Sequence, residues 1–276
     1  MRPTLLDLIR KNPENFDAFL LDLDGTVRLG NTPIPGAAEF VAYLREHKIP
    51  FRYLTNSGAQ IYEGIAESLT KLNIPSTPAD VISCLEPVAD YIRALNTSGR
   101  EWKFFLVGKT LEPVIPGILT YETDPGKIME CDGVQFNGGL HDWRITITAI
   151  VNFFIRYPDR PFLVPNPDIL NPLPNGVSIC ANAQAEFVIQ LLKAAGIEKK
   201  QINFGKPNKE IYQAALRSLN MPASKKIVGV GDLLTSDIAG ANNAGLSSAV
   251  VLTGLTTEET LKNSSIQPHY VCSRLA

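Results

Sequence analysis

The chain has no excess of either charge: 26 Lys and Arg against 28 Asp and Glu give a formal net charge of −2. A nucleic-acid binder, or a protein seated on an anionic membrane, needs a basic face; no nucleic acid and no membrane are therefore expected, and a small-molecule partner is favoured. No run of about 18 apolar residues occurs, which removes the signal of a membrane-spanning helix. The opening stretch MRPTLLDLIRKNPENF lacks an apolar core followed by a small-residue cleavage site, so a cytoplasmic location is expected. Cysteine is scarce: Cys84, Cys131, Cys180 and Cys272 stand alone without a C-x-x-C pair, and His47, His141 and His269 are equally scattered. That scarcity argues against a zinc site or a disulfide framework and for buried, reduced thiols. A P-loop is missing, as are internal repeats and low-complexity tracts.

What is present is a regular alternation of short apolar runs and amphipathic stretches, the pattern of an α/β protein with a mostly parallel sheet flanked by helices. AFLLDL (18–23) reads as a first buried strand, IPGAAEFVAYLREH (34–47) as a helix, IPFRYLT (49–55) as a second strand, and residues 60–72 as a further helix. A late stretch repeats the grammar, with INFG, KIVGVGD and SSAVVLTG as strands and KEIYQAALRSL and SDIAGANNAG as helices; one more edge strand is expected in the tail. Residues 84–203 differ. They are richer in Pro, Gly and Asn, with a turn signal in QFNGGLHD and helices near 85–96, 142–157 and 182–195. This segment either continues the same sheet or forms an inserted second domain, and its position inside a βα scaffold favours the insertion.

In an open α/β sheet, ligands bind at the carboxyl ends of the strands. Four such ends carry polar residues: Asp22 and Asp24; Thr55, Asn56 and Ser57; Gly205 and Lys206; and Gly231 and Asp232 with Asp237 beyond. Taken singly, each has a bland alternative as a helix cap, a turn or a solvated side chain. Together they have another meaning. Carboxylates converging on one rim raise each other's pKa unless a cation sits among them, and an all-oxygen set suits Mg²⁺. Hydroxyl, amide and ammonium donors are what a transferring phosphoryl group needs. A calcium loop fails as the rival because Gly25 follows the second aspartate directly and no bidentate Glu closes the loop.

FLLDLDGT, YLTNS, GKP and GDLLTSDIAG, in that order, resemble the four motifs of the haloacid dehalogenase (HAD) superfamily of phosphohydrolases. The long insertion containing LVPNPD resembles that of the NagD-like class IIA branch. The resemblance implies a Rossmann-like core over 1–83 and 204–276 and an inserted C2-type α/β cap over 84–203. It implies Asp22 as nucleophile, forming an aspartyl-phosphate, and Asp24 as general acid and then base. Mg²⁺ would be held by Asp22, Asp24 through its backbone carbonyl, and Asp232, with Asp237 as ligand or outer support. Thr55, Asn56, Ser57 and Lys206 would bind phosphate.

A D-x-D-G-T motif, rather than the D-K-T-G-T of the superfamily's ATPases, favours phosphomonoester hydrolysis, and dehalogenation is disfavoured. About thirty residues between Asp24 and Thr55 leave no room for a mutase-type cap. A large cap implies small substrates of the sugar phosphate, glycerol phosphate or nucleoside monophosphate kind, and leaves a homodimer paired through the cap open. PNPDILNPLPNG (165–176) is the candidate specificity loop, with Asn166 and Asp168 as its polar residues; Trp143 and Tyr157 read as packing residues. The alternative is a catalytically silent phosphometabolite-binding protein on the same fold.

Overall fold

A computed structural model describes residues 2–58, 61–96, 99–111, 115–173 and 175–276. Thr4 opens α1 (Leu5–Lys11) with a capping box: its hydroxyl accepts from the Asp7 N–H while the Asp7 carboxylate accepts from the Thr4 N–H. β1 (Ala18–Leu21) follows, buried at all four positions as befits a central parallel strand. After a small hairpin of β2 (Arg28–Leu29) and β3 (Thr32–Pro33), α2 (Ala37–Glu46) packs Phe40, Val41 and Leu44 inward. It starts later than its apolar pattern predicts. Gly36, at φ 87°, takes the left-handed region beside the Ala276 carbonyl, where no Cβ fits, and the helix can begin only beyond it. β4 (Phe51–Thr55), α3 (Tyr62–Lys71) and β5 (Val81–Ser83) complete this part.

α4 (Glu86–Leu95) then leads to β6 (Trp102–Val107), β7 (Leu119–Glu122), β8 (Gly133–Phe136), α5 (Trp143–Arg156) and β9 (Phe162–Leu163). Their strands form a separate four-stranded parallel sheet in the order β7-β6-β8-β9. β10 (Leu170–Leu173) and β11 (Gly176–Ile179) pair as an antiparallel hairpin, and α6 (Ala181–Ala194) follows. Much of the expected specificity loop is therefore a hairpin; its Pro174 lies outside the described residues.

The final part contains α7 (Lys209–Leu219), β12 (Ile227–Gly231), a π-helical turn (Leu234–Ile238) running into α8 (Ala239–Asn243), β13 (Ser247–Val251), α9 (Glu258–Asn263) and β14 (Tyr270–Cys272). INFG is not a strand of this part. Ile202 bridges to Leu163 of β9, and Phe204 packs with Val88, Ile92 and Phe104, so the segment completes the second sheet's core.

The first sheet has six parallel strands in the order β14-β13-β12-β1-β4-β5. One face buries Phe19, Leu21, Phe40 and Tyr53, the other Leu20, Leu54, Ile211 and Tyr212. Each large apolar side chain so buried contributes about 1.5–3 kcal/mol, which holds the strand ends in place. From β1 the chain goes out to β4 and β5 on one side, and later fills the other side with β12, β13 and β14. The β1/β12 boundary is thus the switch point where such sheets open a crevice. No helix among the described residues is long and apolar enough to cross a membrane.

Candidate active site

Asp22 follows the last residue of β1, and its N–H is held by the Val230 carbonyl at 2.8 Å. Asp232 follows β12 directly, and Thr55 ends β4. Because these strands are parallel neighbours, all three side chains arise at one rim. Lys206, 3% exposed, reaches that rim from the segment before α7. Its ammonium donates to Asp22 Oδ1 at 2.5 Å and to Asp237 Oδ1 at 2.6 Å. Asp237 rides on the π-helical turn, whose wider winding buries both Ser236 and Asp237. Its second oxygen accepts from the Leu233 N–H at 3.0 Å, so both oxygens are in use.

Carboxylate oxygens of Asp22, Asp232 and Asp237 lie within 4.8 Å of one another. Burial lifts the Asp22 carboxyl well above its ordinary range; Lys206 opposes the rise, and repulsion from Asp237 and Asp232 adds to it. Burial, then Asp237, lifts Asp232 to about 7. Lys206 moves up in spite of its burial, because Asp22 and Asp237 hold its charge. One ammonium does not balance three converging carboxylates, and Asp22 Oδ2 is buried with no hydrogen-bond partner. An orphaned carboxylate oxygen in an all-oxygen cluster with surplus negative charge fits a divalent cation. The glycines around it are structural: a Cβ on Gly25, Gly231 or Gly254 would collide with Asp232 or Asp237.

Asp24 stands outside that cluster. Its Oδ1 accepts from Arg28 Nε at 3.0 Å, and Arg28 also donates to Ser68 at 2.8 Å. The Thr55 hydroxyl accepts from the Ser57 N–H at 3.1 Å. The Asn56 amide is fully committed: Oδ1 accepts from the Lys206 N–H at 2.7 Å, while Nδ2 donates at 3.0 Å to both the Lys206 carbonyl and Asp168 Oδ1. Asp168 is set by its own turn, its N–H donating to Asn166 Oδ1 at 2.8 Å, and burial lifts its carboxyl to about 6.

The site residues expected from the sequence, Asp22, Asp24, Thr55, Asn56, Ser57, Asn166, Asp168, Lys206, Asp232 and Asp237, line one cavity of about 200 Å³. Sequence reasoning missed the far wall: Asn137 to Gly139 after β8, Ser178 to Ala181, and Gln184 of α6. It also missed Leu255, whose N–H donates to Asp232 Oδ2 at 2.6 Å; its place beyond the carboxyl end of β13 was the available signal. Cys84, Cys131 and Cys272 are buried, but Cys180 is only half-buried because it sits on the cavity wall. Tyr157 packs on the second sheet's core as expected, whereas Trp143 is 42% exposed, since the Asp142 cap starts the helix at its open end.

Residues 19–112 match the family model for haloacid dehalogenase-like hydrolases, and residues 203–276 match a second HAD-hydrolase-like model. The acid sugar phosphatase of Staphylococcus haemolyticus is 31% identical over 260 residues, covering 93% of each chain. Among solved structures, a 4-nitrophenylphosphatase from Thermotoga maritima superposes with a TM-score of 0.75 at 26% identity over 95% of both chains. A possible sugar phosphatase from Cytophaga hutchinsonii gives 0.81 at 24% identity over 100% of this chain and 98% of that one. An aspartate-rimmed parallel sheet, two matched family models and a near full-length relative converge: the chain belongs to the haloacid dehalogenase-like hydrolases, in the class IIA, NagD-like phosphatase branch.

Proposed function

We propose that this chain is a Mg²⁺-dependent phosphohydrolase of small phosphomonoesters, with a catalytic core over 1–83 and 204–276 and a cap over 84–203. The observation that carries the reading is Lys206, buried between Asp22 and Asp237, while Asp22 Oδ2 stands unpartnered at the head of β1. Asp22 attacks phosphorus, forming a carboxylate O–P bond as the ester P–O bond breaks, and Asp24 gives its proton to the departing alkoxide. Water then attacks the aspartyl-phosphate, Asp24 takes the proton from it, and phosphate leaves with Asp22 regenerated.

Arg28, on Asp24 Oδ1, orients that carboxyl and leaves Oδ2 to carry the proton. Lys206, the Thr55 hydroxyl and the backbone at Asn56 and Ser57 receive the phosphoryl oxygens. Asp22, the Asp24 carbonyl and Asp232 would hold Mg²⁺, with Asp237 anchoring Lys206 beside them. Bound there, the ion supplies the positive charge that lets an anionic nucleophile meet an anionic ester. A homodimer through the cap belongs to the proposal, with exposed Ile145 and Ile155 on α5 and Phe187 and Leu191 on α6 available to it.

The test is phosphate release from a phosphomonoester panel, with Mg²⁺ and with EDTA, for the wild type and Asp22→Asn. Metal-dependent turnover lost by about 10⁴-fold or more in the variant is expected. Folded, Mg²⁺-binding protein that hydrolyses no ester would support the silent binding protein instead.

A further inference from the structure

The two loops that flank the end of β12 meet at Asp232. Because β12 lies between β1 and β13, the loop after β1 and the loop after β13 belong to strands that do not pair with each other. They nevertheless close on one carboxylate: a Cβ on Gly25 would stand 2.4 Å from Asp232 Oδ2, and one on Gly254 1.9 Å from the same oxygen. The later loop also grips Asp232 directly. The Leu255 N–H donates to Oδ2 at 2.6 Å and the Thr256 N–H to the Asp232 carbonyl at 3.1 Å, which fixes how the carboxylate is turned. A further hydrogen bond joins the two loops to each other: the Thr253 hydroxyl donates to the Gly25 carbonyl at 2.7 Å. Its place matters because of what Gly25 is. At φ 98° and without a Cβ, Gly25 can turn the peptides on either side of it at little cost, so their orientation has to come from hydrogen bonds. The preceding peptide is held by the Gly25 N–H on the Arg28 carbonyl at 2.7 Å, and in a trans peptide that aims the Asp24 carbonyl the opposite way. The following peptide is held by Thr253.

We infer that Thr253 is a positioning residue for the cation site: its hydroxyl latches the loop after β1 to the loop after β13 and so fixes the Asp24 carbonyl and the Asp232 carboxylate relative to each other. The inference rests on the Mg²⁺ reading above and goes beyond it, since Thr253 does not line the cavity and touches neither the ion's place nor the substrate's. Ligand groups set by hydrogen bonds in advance lose less freedom when the ion arrives, and partners that orient metal ligands from outside typically contribute about 10-fold or more in affinity. Without the latch, Gly25 is free to turn, and the Asp24 carbonyl is no longer registered against Asp232. The sequence hid this role because Thr253, in VLTGL, reads as the end of an ordinary strand.

The test is the Mg²⁺ dissociation constant, measured by calorimetry on the metal-free full chain, for the wild type, Thr253→Val and Thr253→Ser. Val keeps the branched shape and loses the hydroxyl, and the constant should rise about 10-fold. Ser keeps the donor and should restore the wild-type constant. Urea unfolding in EDTA separates this from a packing defect: a Thr253 that only supports the fold lowers the stability of the Val variant and leaves its Mg²⁺ constant unchanged, which overturns this inference alone. A rise in the Ser variant as large as that in the Val variant overturns it too, because the hydroxyl is then not the cause. Thr253→Ala serves if the Val variant does not fold. A wild type that binds no Mg²⁺ overturns the Mg²⁺ reading and this inference with it.

Discussion

The two walls of the cavity are built on opposite electrostatic plans. On the six-stranded side, Asp22, Asp232, Asp237 and Lys206 are almost fully buried, and Lys206 ties Asp22 to Asp237 by short charge-assisted hydrogen bonds. On the other side, Asn137, Asn166, Ser178 and Gln184 carry no charge, and the β10–β11 hairpin beside them leaves Leu170, Val177 and Ile179 exposed. On the proposed function, the difference separates two tasks. Reaction chemistry needs fixed charge in a shielded place, where it is strongest and needs no reorganisation. Selection among leaving groups needs replaceable neutral contacts, each contributing about a kilocalorie per mole, on elements that can vary without disturbing the sheet.

The largest break in that contrast comes from removing Lys206, the one cation lining the cavity among the described residues. Lys206→Met leaves three converging carboxylates unbalanced; kcat is expected to fall about 10³-fold, and the metal-free protein to lose about 3–5 kcal/mol in urea unfolding measured in EDTA.

A smaller break concerns Asp168, the single carboxylate of the amide-rich wall among the described residues. Burial raises its folded pKa to about 6 from an ordinary 3.8, so between pH 4 and 6 the folded chain holds a proton that the unfolded chain has released. That contribution to stability is present at low pH and lost as pH rises through 6, about 3 kcal/mol at roughly 1.4 kcal/mol per pH unit. Asp168→Asn keeps an acceptor for Asn56 and should flatten the pH 4–7 slope of metal-free stability by about that amount.

Smallest is Arg28→Lys, which keeps the charge but loses the fork reaching both Asp24 and Ser68. We expect kcat/KM for p-nitrophenyl phosphate to fall about 3–10-fold.

The charged wall was legible in the sequence because buried strands are marked by Val, Ile, Leu and Phe runs, and the polar residues directly after them fall at one rim of a parallel sheet. Asp22, Thr55 and Asp232 follow from that rule alone. INFG was misleading since a short apolar run does not say which sheet receives it: Ile202 pairs with β9. Gln184 was invisible for another reason. In ANAQAEFVIQLL it reads as an ordinary helical amide, and only the tertiary fold brings the first turn of α6 to the cavity. Asp237 was expected in a regular helix; the π-helical turn that aims it at Lys206 leaves no mark in SDIAG.

The Asn56 amide has a consequence for anyone redesigning substrate choice. It touches Asp168 at the base of the hairpin and both backbone groups of Lys206, so it acts as an indexing pin between the exchangeable wall and the reacting one. A hairpin from another enzyme could replace residues 169–179 wholesale. A graft that also discarded the Asn166-Pro167-Asp168 turn would lose its registration with Lys206 and, through it, Asp22, however well its new side chains suited the intended substrate.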